Sequence, residues 1–395
     1  MVFVGMSPLR RSGSAGQASL RPKGSAGRAG VSKKKKLVFV GMSGGVDSSV
    51  AALLLKKRGY DTVGVFIRSY NLDGCAERDA QDARRAAERI GIPFYVWDFE
   101  EEYKKRVVQY MIDGYRNGIT PNPDVMCNKE IKFGLFFDRA RAMGADYVAT
   151  GHYVRLKDGK LFSAKDEKKD QSYFLWTLAS ADLQHCLFPV GDHRKPEIRE
   201  IARKAGLPTA EKKDSQGICF LGMVDLFDFL KQHIPEHRGA LRTVEGEAIG
   251  EHYGSEFYTI GERHIAADFA FPKSGRTARK PFYVAGKDAA TNTVVLAEGS
   301  DHPALYRSEI ELADFHVIDQ AFRGRYPAGT AIPVKARVRY RQPLAKALLT
   351  IREGGAAVLR FAEPQRFVAP GQSAVCYAAR GKYPEMIGGG VILSA

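Results

Sequence analysis

The chain is short of several features that would have placed it quickly. Its five cysteines, at 75, 127, 186, 219 and 376, are an odd number with no C-x-x-C and no short Cys/His pairing, which argues against a secreted disulfide framework and a zinc finger. No apolar run approaches the ~20 residues that cross a bilayer, so a membrane protein is not expected. Residues 1–36 contain no Asp or Glu. No lysine follows the glycines at 41, 44 and 45 in the spacing G-x-x-x-x-G-K-[ST], and the stretch is not G-x-G-x-x-G. That excludes a Walker A loop and a dinucleotide fingerprint there.

What is present is a globular composition, 44% hydrophobic and 27% charged over 395 residues, long enough for two or three domains. The net charge of +15 points to an acidic polymer as partner, but nine of the basic residues lie in 1–36, leaving 51 − 45 = +6 for the rest. That segment, rich in Gly, Ser, Ala and Arg and ending in Lys33–Lys36, has a composition that buries no core and is expected to be a disordered basic tail. A cytoplasmic protein is expected. The alternative is organellar import, because the acid-free tail superficially suits a transit peptide, whereas 1–6 is too short for a secretory core. Val2–Ser7 repeats as Val38–Ser43, for which the sequence offers no functional reason.

From residue 37 strands alternate with helices. Leu37–Val40 precedes Gly41-Met42-Ser43-Gly44-Gly45-Val46-Asp47-Ser48-Ser49, and the apolar run 50–55 follows. That order is strand, glycine turn and helix start. Glycines bring backbone N–H groups close to an anion, and the serines add donors at the positive end of the helix dipole, so the stretch suits a phosphate. Thr62–Ile67, Phe94–Trp97 and Tyr147–Thr150 read as further strands, and Ala80, Ala83, Ala87 and Ile90 recur at helical spacing. The pattern predicts an α/β fold, a doubly wound parallel sheet over 37–222, with ligands at the carboxyl ends of its strands. Beyond about 222 short alternating runs such as Thr293–Leu296, Ile332–Val338 and 356–361 predict two small, mainly β modules, 223–302 and 303–395, the last a β-barrel.

Two stretches carry nucleophiles. In 120–129, Pro121 and Pro123 argue against a helix and stiffen the loop, holding Asp124 near Cys127 ahead of a helix expected from about Asn128. A thiol at a helix start beside Lys129 has its thiolate favoured; the Asp124 carboxylate opposes that and can itself move protons. A rigid loop with an incidental cysteine is the equal alternative. In 212–220, Cys219 lies between Ile218 and Phe220, neighbours that by themselves indicate a buried core thiol.

The loop at 41–48 resembles the SGGxDS loop of the N-type ATP pyrophosphatases, the PP-loop family, which hold the pyrophosphate end of ATP and adenylate a carbonyl oxygen. TPNPDVMCNKEIKF at 120–133, ATGHY at 149–153, KDQSYFL at 169–175, FPVG at 188–191, KKDSQGICF at 212–220, YTIGER at 258–263, RYRQ at 339–342 and PGQSAV followed by GGGVI are similar, in unbroken order, to the tRNA-specific 2-thiouridylases. The resemblance implies an ATP-dependent 2-thiolation of the wobble uridine of tRNA, with AMP and pyrophosphate released. It implies that Gly41, Met42, Ser43, Gly44, Gly45, Val46, Asp47, Ser48, Ile67 and Gly151 surround ATP, with Asp47 helping to place Mg²⁺. Cys219 would carry a persulfide from a sulfur-relay or cysteine-desulfurase protein. Cys127 would attack that persulfide or close a disulfide with Cys219 as sulfur leaves, and Asp124 would be the general acid or base. Asn122, Pro123 and Asp124 would touch the target uridine, and Lys169, Asp170, Gln171, Arg339 and Tyr340 the tRNA. No resident metal site of the protein's own is implied.

The chain departs from the family pattern in places. Arg68–Cys75 is shorter than the usual acidic insertion, Glu262 stands where glutamine is common, and His264–Asp268 replaces a Gly-rich segment. Cys186 and Cys376 are expected to be packing residues, and Cys75 has no expected role. Two other readings exist. A PP-loop ligase or amidotransferase would need neither cysteine, and an RNA-binding protein with an inert loop would not need Gly44, Gly45, Asp47, Cys127 and Cys219 intact.

Overall fold

The computed structural model describes residues 35–70, 74–214, 224–270 and 280–394. The expectations for the basic tail up to residue 34 and for Cys219 therefore lie outside the described residues.

Apolar runs become strands buried on both faces, as a parallel sheet requires. Val38, Phe39 and Val40 in β1 (Leu37–Gly41) are almost wholly enclosed. The chain then forms α1 (Val46–Lys57), β2 (Asp61–Arg68), α2 (Cys75–Ile90), β3 (Phe94–Asp98) and β4 (Tyr147–Thr150). A small hairpin, β5 (Arg155–Lys157) with β6 (Lys160–Phe162), precedes β7 (Cys186–Leu187). The sheet order is β3-β2-β1-β4-β7 and every pair is parallel. The chain runs outward from β1 to β3 on one side and returns to β4 on the other. The order thus reverses between β1 and β4, where Gly41 pairs with Thr150, and ligands of such sheets bind at that crevice.

Two helical runs cover one face. Residues 100–116 are α-helical except for a π-helical stretch at Lys104–Val108. Residues 123–142 form the second, with Cys127–Leu135 π-helical. This corrects the expected loop through residue 127. Pro123 occupies the first helical turn, where its missing N–H costs nothing, so the helix starts five residues earlier than expected and Cys127 lies inside it.

The central module is a five-stranded sheet of β8 (Gly239–Thr243), β9 (Ala248–His252), β10 (Ala267–Phe269), β11 (Phe282–Asp288) and β12 (Thr293–Glu298), in the order β10-β9-β8-β12-β11. The last module is a closed barrel of β13 (Tyr306–Val317), β14 (Ala331–Arg337), β15 (Ala345–Ile351), β16 (Ala357–Arg366), β17 (Ser373–Ala378) and β18 (Met386–Ser394). Ile310, Leu312, Val334, Leu349 and Leu359 fill it, together with Cys376. Cys186 is buried too and donates to the Asp182 carbonyl at 3.2 Å. Both behave as packing residues whose thiols burial pushes well above the ordinary range. Among the described residues no helix is long and apolar enough to cross a membrane.

The barrel is joined to the sheet domain by polar contacts from residues 170–176. Asp170, 4% exposed, is ion-paired at 2.7 Å with Arg337, 6% exposed. The Asp170 carboxylate also accepts from the Ala164 and Ser172 N–H groups and the Ser172 hydroxyl. Tyr173 donates to the Ser373 carbonyl at 2.9 Å, and Trp176 Nε1 to Ser373 Oγ at 3.0 Å.

Candidate active site

The loop after β1 turns on Gly44, whose φ of +74° is open to glycine and whose missing side chain lets the Asp79 carbonyl approach; a Cβ would sit 2.3 Å from that oxygen. Gly45 caps α1 with no side-chain hydrogen bond. The serines bond inward instead. Ser48 Oγ accepts from the Ser43 N–H at 3.1 Å and donates to the Gly45 carbonyl, and Ser49 Oγ donates to the same carbonyl at 2.8 Å. The first turn of a 12-residue helix therefore offers its amides and dipole to an anion. Gly151, after β4, lies against this turn, and a Cβ there would stand 2.7 Å from the Ser48 nitrogen. Met42 is buried and donates its N–H to the Val65 carbonyl, and Ile67 is half-buried near the end of β2.

Around the loop lies a set of charges that sequence reasoning did not find. Lys195, in the first turn of α3 (Lys195–Lys204), is 9% exposed. Its ammonium reaches both Asp47 carboxylate oxygens, at 2.8 and 2.7 Å, and Asp214 at 2.8 Å. Tyr153 donates to Asp47 at 2.8 Å. Asp214 also pairs with Lys169 and with Arg199 at 3.0 Å. Burial works against that carboxylate's charge, but Lys169 and Lys195 hold it down at about 2. Three cations thus surround two carboxylates beside the phosphate loop. The resemblance pointed to Asp47 and Lys169 separately; the structure joins them through Asp214 and Lys195. Nothing in the Lys195-Pro196 sequence distinguishes a buried lysine from an ordinary helix start.

The second part of the site is the start of the 123–142 run. Asn122 caps it, its Oδ1 accepting from the Val125 N–H at 3.2 Å. Asn122 and Pro123 are buried and Asp124 is half-buried. Cys127 is a free thiol, 5% exposed. Burial raises its pKa above the ordinary 9.0, Asp124 adds to that, and Lys132 and a hydrogen bond with Tyr103 oppose it. The expectation of a favoured thiolate is therefore corrected: enclosure disfavours the thiolate, and the cation that opposes this is Lys132, whereas Lys129 pairs with Glu130. His152 follows β4 and packs against Phe133 at 6.1 Å between ring centroids. Burial, and then Lys132, hold its imidazole well below 6.5 and neutral. Its Nδ1 is 2.8 Å from Thr150 Oγ1. Lys132 therefore acts on both Cys127 and the turn that follows β4.

The residues expected at the tRNA divide into groups. Asp170 is enclosed in the joint to the barrel, ion-paired with Arg337 and hydrogen-bonded to Ser172. Gln171 accepts from the Tyr153 N–H at 2.9 Å. Arg339 and Tyr340 are half-buried and meet the helix start through Tyr173 and Phe174. Tyr340 packs on Phe174 at 4.5 Å, Tyr173 lies within hydrogen-bond reach of Asn122, and Asn128 donates to the Phe174 carbonyl at 3.4 Å. Arg339 donates to the Ile260 carbonyl at 3.0 Å.

Three family models cover this architecture. One described as "tRNA methyl transferase HUP domain" matches residues 36–223, a "tRNA methyl transferase PRC-barrel domain" matches 227–298, and an "Aminomethyltransferase beta-barrel domain" matches 308–392. A curated relative from Streptococcus thermophilus, named tRNA-specific 2-thiouridylase MnmA, is 44% identical over 368 residues, covering 91% of this chain and 95% of that protein. Relatives of the same name from Streptococcus pyogenes serotype M2 and Streptococcus sanguinis are each 44% identical over 365 residues, covering 90% of this chain and 94% of theirs. Near-complete coverage at this identity shows the family: the chain belongs to the tRNA-specific 2-thiouridylases, ATP-using sulfurtransferases that act on tRNA.

Proposed function

We propose that the protein thiolates C2 of the wobble uridine by adenylating its oxygen and delivering sulfur from a cysteine persulfide. The observation that supports this most is the placement of two functional halves at one crevice. The phosphate loop follows β1, and the Cys127 helix packs, through Phe133 and His152, on the turn after the neighbouring β4.

In this reading the Gly41–Ser48 loop wraps the β and γ phosphates, the first-turn amides of α1 donating to them, and Ile67 and Gly151 flank the nucleotide. The donors fit Mg²⁺ carried by ATP, which uses one or two carboxylates with phosphate oxygens. No cluster of three metal-binding side chains occurs among the described residues, and Asp47 would be that carboxylate, shared with Lys195. Mg²⁺ supplies charge neutralisation at the phosphates. The uracil O2 attacks the α phosphorus, the N3 proton leaves, and pyrophosphate departs. Asp124 accepts or returns that proton.

A persulfide on Cys219, loaded by a relay or desulfurase protein, attacks C2 through its terminal sulfur and AMP leaves. Cys127 then attacks Cys219 Sγ; the S–S bond to the transferred sulfur breaks, 2-thiouridine is released and a Cys127–Cys219 disulfide forms. The other order, in which Cys127 first frees sulfide from the persulfide, ends in the same disulfide. Either way a thiol reductant must restore the pair. Asn122 and Pro123 would border the base, and Lys169, Gln171, Arg339 and Tyr340 the surrounding tRNA.

The test supplies the full-length protein with ATP, a persulfide donor and unmodified tRNA. Thiolated nucleoside and AMP are expected, and none of the nucleoside from Cys219→Ser. Cys127→Ser should lose turnover and keep part of the AMP-forming adenylation. Thiolation surviving Cys219→Ser overturns the persulfide step, and ADP as product overturns the adenylation.

A further inference from the structure

We infer that the barrel domain supplies a positioning residue to the reaction centre: Gln372 holds the carbonyls that lead into the Asn122–Cys127 helix start and so sets where Asp124 and Cys127 stand. This rests on the proposal that 122–127 addresses the target base.

The segment between the two helical runs has backbone groups that no helix or sheet satisfies, and buried groups of this kind need partners. Residue 372 provides them. Its carboxamide nitrogen donates to the Thr120 carbonyl at 3.2 Å and to the Pro121 carbonyl at 3.1 Å, two successive acceptors served by one group. The Thr120 N–H in turn donates to the Pro370 carbonyl at 2.8 Å. Close approach depends on Gly371, where a Cβ would stand 2.8 Å from the Thr120 oxygen. The barrel turn is itself fixed, since Gly371 N–H donates to the Ile392 carbonyl and Ile392 N–H to the Gln372 carbonyl, each at 2.8 Å. On the opposite side Thr120 Oγ1 meets Thr259 Oγ1 of the central module at 3.3 Å. All three domains therefore converge on Thr120, which is 5% exposed.

The next residues transmit that position. Pro121 packs on Gly114, and Pro121 and Pro123 each fix φ, so a displacement at Thr120 passes to Asn122 and Asp124 with little loss. Misplacement by about 1 Å can cost a reaction roughly 10²-fold, so loss of one strut with the others in place is expected to cost about tenfold.

The experiment uses the full chain with Gln372→Ala and, preserving side-chain length without donors, Gln372→Met. Single-turnover 2-thiouridine formation at saturating tRNA should fall about tenfold while the tRNA Kd changes less than about twofold. Iodoacetamide labelling, read peptide by peptide, should show faster modification of Cys127 with Cys186 and Cys376 still protected. Unchanged rate and unchanged Cys127 labelling overturn the inference. A rise in Kd alone would make Gln372 a tRNA contact instead, and exposure of all three cysteines would make it a general stability residue; both also overturn it. Should the alanine variant not fold, the methionine variant decides. If wild-type protein forms no thiouridine, the functional proposal fails, whereas the labelling still judges the strut.

Discussion

Lys195 carries its charge in a place where a lysine is costly unless paired, enclosed at 9% exposure between Asp47 and Asp214. Its position beside the phosphate loop leads to a prediction about ligands that share or lack a pyrophosphate. Lys195→Met should weaken ATP and pyrophosphate binding, measured calorimetrically, by roughly ten- to hundredfold, the worth of one charge-assisted hydrogen bond. AMP binding should be nearly unchanged; equal weakening of AMP would show a general collapse of the pocket. The loop itself was legible in the sequence because its glycines and serines follow one another. Lys195 was not, because its partners come from distant positions and burial leaves no local mark. The burial of Asp170 was equally hidden, because its partner Arg337 is 167 residues away.

At the scale of an element, the 123–142 run decides how the thiol behaves. The strands were legible from apolar runs, and the helix start was misplaced because two prolines suggest a loop although one of them suits a first turn. The π-helical stretch was not legible at all: i→i+5 bonding has no residue signature. Its consequence is chemical, since Cys127 is drawn into the core while Lys132 remains near enough to oppose the burial. Because burial raises the thiol above its ordinary 9.0, labelling of Cys127 should keep accelerating as pH rises past that value, as more thiolate forms. Lys132→Met removes the opposing charge and should slow labelling at any fixed pH. A rate that levels off below about pH 8 would mean the thiolate is already favoured, contrary to this account.

Across the whole molecule the sheet domain and barrel are joined by a buried ion pair, Asp170 with Arg337. Asp170→Asn leaves Arg337 buried without its counter-charge and should cost about 3–5 kcal/mol in urea unfolding, followed by the fluorescence of Trp176 at the same joint. An unchanged midpoint would show that the remaining contacts suffice. The succession of a parallel sheet and two β modules was legible from alternating and apolar runs. How they meet was not, because Tyr173, Trp176, Arg337 and Ser373 look like ordinary residues until the chain brings them together.

The convergence on Thr120 has a consequence for the substrate. A segment gripped from three domains has no joint beside it, so the enzyme has little freedom to reshape itself around an anticodon. Under the proposed function the distortion falls on the nucleic acid. The target base must leave its stack to reach Asp124 and Cys127, at a cost of a few kcal/mol that the surrounding contacts offset, and selectivity then includes how readily a given anticodon loop yields that base.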